Sequence, residues 1–145
     1  MIWILLLSLV PGIEARGASI YFFCSNQPLF IPFSVVLNFL GVCLFLKLLD
    51  AGKIPRRIEK FMERRAGKVI RKTERWFSKH GNIAIFFLIA LPSTGIGSYT
   101  GAFIGRIFGL QGKTFYTYIF LAILSSLALA FVIAFTINHA LLIAC

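Results

Sequence analysis

Acidic residues are scarce in this 145-residue chain: five Asp or Glu stand against fifteen Lys or Arg, with two His and three Cys. No Ser/His/Asp grouping, metal-ligand spacing or phosphate-cradling loop can be assembled from so few candidates. An enzyme is therefore the least expected class, and neither a metal nor a cofactor is implied. Cys24, Cys43 and Cys145 are odd in number and scattered, and read as apolar packing residues rather than a disulfide framework. Charged residues make up only 14% of the chain while hydrophobic ones make up 59%, Phe alone accounting for 16 residues. With a mean hydropathy of +0.87, this composition lies far outside the soluble range and predicts an all-α integral membrane protein.

Long apolar runs are missing on either side of Leu91-Pro92-Ser93-Thr94-Gly95-Ile96-Gly97-Ser98-Tyr99-Thr100-Gly101. Spanning a bilayer takes about 20 apolar residues, and Ile83–Leu91 and Ala102–Leu110 have about nine each, enough for roughly 14 Å of helix. They read as the arms of a re-entrant hairpin over residues 81–112. Pro92 removes a donor and disfavours helix at Leu91, while Gly95 and Gly97 admit turn geometries. Non-helical backbone at bilayer depth is tolerated where it is buried in protein or lines a wet cavity, so Ser93 and Thr94 at the tip are candidate pathway residues.

Residues 1–27 read as a first hairpin, Met1–Val10 going in and Gly17–Phe23 returning around a tip of Pro11, Gly12 and Gly17. A cleaved signal peptide is the alternative, but no basic residue precedes the apolar run, and Glu14 and Arg16 fall where a small-residue cleavage site should begin. Residues 28–49 and 114–137 are the two runs long enough to cross completely.

Between them the charge concentrates. From Lys53 to Lys79 there are eleven Lys or Arg against three Glu, +8 of the net +10. On a soluble protein this would suggest nucleic acid. Next to membrane spans it places the loop in the cytoplasm and both termini outside, with no nucleic-acid partner. The apolar residues of 53–80 recur on one helical face, and Arg64, Arg65, Lys68, Arg71 and Lys72 mark a basic face suited to anionic lipid headgroups. Gly97, Gly101, Gly105 and Gly109 form a bare stripe that lets another helix approach closely.

The chain thus reads as an inverted repeat of two re-entrant hairpins, each followed by one full transmembrane helix, plus a cytoplasmic amphipathic helix. Broken helices meeting at the midplane are an architecture of secondary transporters. One unit of this size is small for a complete pathway, so a homodimer is expected.

Pro11-Gly12-Ile13-Glu14-Ala15-Arg16-Gly17-Ala18 resembles the Pro-x-Ile-Glu-x-Arg-Gly-Ala signature of the small multidrug export protein family, and Leu91-Pro92-Ser93-Thr94-Gly95 with Thr100-Gly101-Ala102 resembles its second loop. The resemblance covers essentially the whole chain. It implies a transporter related to the DedA superfamily of re-entrant-loop proteins, some of which are implicated in moving polyprenyl-phosphate lipids or in proton-dependent drug tolerance.

Glu14, Arg16 and Arg106 are the charges expected at membrane depth, where ionisable groups mark pathways or relays unless they pair structurally. Helix N-termini near Gly17 and Ser98, with two arginines against one glutamate, favour an anionic or amphipathic substrate such as a lipid phosphate, coupled to protons through Glu14, as in a lipid flippase. The alternatives are an exporter of cationic compounds using Glu14, and a non-transporting protein that organises lipid through its basic helix.

Overall fold

The computed structural model describes residues 3, 6, 20–21, 24–25, 28–52, 56–91 and 96–141. The first hairpin's tip (Pro11, Gly12, Glu14, Arg16, Gly17) and the second's (Pro92, Ser93, Thr94, Gly95) lie outside these residues. So does the inverted repeat, which depends on the first hairpin. What is described is helical, with no strand among the described residues: α1 (Ile31–Asp50), α2 (Arg56–His80), α3 (Asn82–Ala90), α4 (Ser98–Ile107) and α5 (Gly112–Leu141).

The span expected from residue 28 begins as a 3-10 turn over Pro28–Phe30 and becomes α-helical at Ile31. Pro32 is the reason. Its ring would clash with the carbonyl four residues back, so the α-helix can start no more than a turn before it. From Ile31 to Asp50 the helix has 20 residues, about 30 Å of rise. It and Gly112–Ile133 of α5 are long and apolar enough to cross a membrane.

The contacts fix the directions of the helices. Asn38 of α1 meets Ser98 at the start of α4, and Asp50 at the end of α1 meets Arg106 near the end of α4. The two helices therefore run parallel. Phe39 packs edge-on to Phe120 at 5.1 Å, and Tyr116, one turn earlier on α5, lies beside Arg106, so α5 runs antiparallel to both.

Helices α3 and α4, of nine and ten residues, are each about 15 Å long, half a crossing. They pack antiparallel, Gly101 against Ile89 and Gly105 against Ile85. Helix α3 packs against α4 and, most extensively, α5, with Ala84, Ile85, Leu88 and Ile89 in the core. Leu91, extended at ψ 114° before Pro92, ends α3, as the clash of a proline ring with a preceding helical residue requires.

Outside this core, Leu29 in the preceding 3-10 turn and Phe33, Val36, Leu40, Leu44 and Leu48 of α1 form an exposed apolar stripe, and Leu121, Leu124, Val132 and Ile133 are exposed on α5. In water such stripes would be costly; in lipid they need no cover.

Helix α2 docks through its apolar face onto α3 and α4. Ala66 and Phe77 are buried there, and Phe77 stacks on Phe108 at 4.5 Å with rings 6° from parallel. Arg56, Arg57, Lys60, Arg64, Arg71, Arg75 and Lys79 are exposed. The expected amphipathic helix is present, and its Val69, Ile70 and Phe77 pack against the core. Cys24 is disulfide-bonded, which corrects the packing role assigned to it, while Cys43 carries a free thiol.

Candidate functional site

Two polar centres lie on the hairpin, one near its tip and one at its base. The buried polar residues among those described are Ser34, Asn38, Ser98, Thr100 and Ser126. Ser34 and Ser126 donate to carbonyls of their own helices, Ile31 at 2.7 Å and Ile123 at 2.8 Å. Asn38 and Ser98 instead bridge two helices. The Ser98 hydroxyl donates to Asn38 Oδ1 over 3.0 Å, with both residues 1% exposed.

Their depth follows from helix geometry. Asn38 stands twelve residues before Asp50, about 18 Å along the axis at 1.5 Å per residue. The start of α4 therefore sits well inside the length of α1. Gly97 is the N-cap, extended at ψ 174°, and no side chain caps the helix. Backbone donors of the first turn point toward the tip, together with the positive end of the helix dipole. Thr100, buried in that first turn, adds a hydroxyl.

Asn38 is the functional candidate that reading the sequence missed. It was legible as the one amide in the uncharged part of the 28–49 run. An amide in a spanning helix needs an interior partner, and that signal was available.

At the base, Arg106 lies in the last turn of α4, the opposite end from the tip. Its Nη2 donates to Asp50 Oδ2 and lies 3.5 Å from the Tyr116 hydroxyl, and its Nη1 reaches the Leu110 carbonyl at 3.4 Å. The guanidinium carbon is 5.7 Å from the centre of the Phe115 ring. The side chain of Arg106 is 11% exposed and that of Asp50 51%. The sequence reading counted Arg106 with Arg16 as an unpaired cation near the midplane. The structure shows its charge met by Asp50 at the end of the spanning helix. Arg106 Nε and Asn82 Oδ1, at the two ends of the hairpin's base, are the buried side-chain atoms without a partner among the described residues.

The glycine stripe divides by role. A methyl at Gly101 would overlap Ile89, and one at Gly105 would overlap Phe115 and Ile85. Gly109 closes the helix instead: at φ +74° its amide bonds to the Arg106 carbonyl at 3.0 Å, and that of Leu110 bonds to the Gly105 carbonyl at 2.9 Å. This is the paired Schellman termination, for which a left-handed residue is needed. Of the basic face, Arg64 and Arg71 are exposed, and Arg71 Nε contacts the Gly67 carbonyl at 3.4 Å. Arg65, Lys68 and Lys72 are described by backbone alone.

Among the described residues no group of His, Cys, Asp and Glu could hold a metal ion. A family model described as "Putative small multi-drug export protein" matches residues 14–142. No curated protein and no solved structure matches the chain.

Proposed function

The chain belongs to the small multi-drug export protein family, and from that premise we propose that it is a multi-pass, non-enzymatic membrane transporter working as a homodimer. It passes an anionic or amphipathic substrate such as a lipid phosphate through a site at the tip of the α3–α4 hairpin, coupled to protons through Glu14. The observation that carries this reading is the placement of the α4 N-terminus beside buried Asn38, about 18 Å from the basic end of α1. A half-helix opening among buried polar groups at that depth is how several transporter folds present backbone donors to anionic substrates. Helices α3 and α4 enter and leave on one side as a re-entrant pair, facing an inverted counterpart formed by residues 1–27. The relation to the DedA superfamily is part of the same proposal.

The topology has two supports. The positive-inside rule applied to the basic α2 favours a cytoplasmic Asp50 end. The disulfide at Cys24, before the other end of α1, suits an oxidising compartment.

One observation favours a second reading, an exporter of cationic compounds. With Arg106 paired to Asp50, the charges left among the expected pathway residues are Glu14 and Arg16, and the excess of positive charge disappears.

Both readings are tested with purified protein in liposomes, measuring translocation of a headgroup-labelled lipid phosphate and efflux of a cationic dye, each with and without a pH gradient. Lipid translocation above empty liposomes, reduced about ten-fold or more by Glu14→Gln and Asn38→Leu, is expected if the pathway charge acts in the transition state for transfer. Dye efflux without lipid movement would select the second reading, and neither activity would reject both.

A further inference from the structure

On the outer surface, α1 and α5 enclose an open groove lined by Phe39, Tyr116, Thr117 and Phe120. The groove is shallow, with a volume of about 290 Å³. The edge-on pair Phe39 and Phe120 makes its floor, and the Thr117 hydroxyl is occupied by the Lys113 carbonyl at 3.0 Å. The walls are therefore effectively apolar.

The mouth is different. Tyr116 lines the groove and also lies beside the Arg106 guanidinium, which pairs with Asp50. On α5, Lys113 precedes Tyr116, Thr117 and Phe120 at spacings that put all four on one face. On α1, Phe39, Cys43, Lys47 and Asp50 follow one stripe by the same rule. Lys47 and Lys113 are exposed. The mouth thus carries Arg106, Lys47 and Lys113 against Asp50 alone, a net charge of +2, at the end of the spans where the basic helix docks. Around it the exposed residues are Val36, Leu40, Leu44, Leu121 and Leu124, a surface suited to hydrocarbon.

We propose that this groove binds an anionic membrane lipid, one acyl chain lying along Phe39 and Phe120 and the phosphate headgroup held at Lys47 and Lys113 beside the Arg106–Asp50 pair. The chain gains close contact with aromatic walls that mobile bulk lipid makes only loosely. The headgroup supplies the anion that Lys47 and Lys113 lack once Asp50 is taken by Arg106, and clustered cations at the interface select anionic headgroups. A zwitterionic lipid fits the same walls but brings no net charge to the mouth. The proposal rests on the reading of α1 and α5 as membrane spans, and not on any transport activity.

The test uses the full chain in phosphatidylcholine vesicles, with Trp3→Phe and Trp76→Phe removing the native indoles. Thr117→Trp, at an exposed position on the groove, reports occupancy through quenching by brominated phosphatidylglycerol or brominated phosphatidylcholine. Leu124→Trp, on the exposed apolar face, is the reference. The expected result is a preference for the anionic lipid of about five-fold or more at Thr117→Trp, with a ratio near one at Leu124→Trp. Adding Lys47→Gln and Lys113→Gln is expected to bring the Thr117→Trp ratio to near one and leave the reference unchanged. A ratio near one at Thr117→Trp in the otherwise native chain, or the same preference at both positions, would overturn the site. A reference indole that neither lipid quenches would instead remove the spanning reading beneath it.

Discussion

The Ser98 hydroxyl and the Asn38 amide oxygen, sixty residues apart in the chain, meet over 3.0 Å with both residues 1% exposed. This bond ties the returning arm of a short helical hairpin to a helix long enough to cross a membrane. Both groups are shielded from solvent, yet measured interhelical bonds of this type in membranes average only about 0.6 kcal/mol, because the dissociated helices also find partners. The bond's weight therefore lies in where it holds the α4 N-terminus.

Asn38→Ala and Ser98→Ala should each lower stability modestly, and a double-mutant cycle on the detergent-solubilised protein should give a coupling of about 0.6 kcal/mol, and at most about 1.7. Substrate flux in liposomes should fall out of proportion to that loss. A coupling near zero would mean that the two side chains do not meet.

Gly101→Ala and Gly105→Ala should destabilise by about 1–3 kcal/mol each, since Ile89 and the Phe115 ring stand where the new methyl would go and overpacked cores respond on that scale. Gly109→Ala meets open space but sits at φ +74°, so its cost of about 1–2 kcal/mol is backbone strain. Gly67→Ala, helical in α2 with nothing near its Cβ, should stabilise by about 0.5–1 kcal/mol. Thermal unfolding of the four variants should rank them in that order, and a destabilised Gly67→Ala would contradict the packing of α2.

Arg106→Ala should be more damaging than Asp50→Asn. The carboxylate is half exposed, so the ion pair itself contributes about 1 kcal/mol or less and weakens with salt. Arg106 in addition holds the Leu110 carbonyl, contacts Tyr116 and covers Phe115. Unfolding at low and high ionic strength should show salt sensitivity in the native chain and little in Asp50→Asn. Equal losses in the two variants would mean that charge alone accounts for the contact.

Phe77→Ala removes a buried ring stacked on Phe108 and should cost about 3–5 kcal/mol of α2 docking if the gap does not collapse. Helix α2 is rich in trypsin sites, so limited proteolysis should cut the variant there faster than the native chain. Unchanged cleavage would show that other contacts hold the helix.

The single chain of letters revealed the elements better than their meetings. Length and hydropathy located both long helices to within a few residues, and the 3.6-residue period located α2, because these signals are local. Pro32, four residues after Pro28, held the reason α1 starts late. Arg106 was misjudged for a different reason: nothing local shows that a carboxylate 56 residues away will meet a guanidinium. The glycine stripe shows the same limit. Gly105 and Gly109 share one spacing, yet one admits a neighbour's ring and the other turns the chain.

The broadest contact of α3 is with α5, a segment made later. On a ribosome, nine residues of α3 emerge well before their main partner, and they are too short to be retained in a bilayer as a span. With α5 as a membrane span, the hairpin is expected to settle only after α5 has inserted, and a nascent chain arrested near residue 111 should keep the hairpin accessible to insertion factors or to proteolytic quality control.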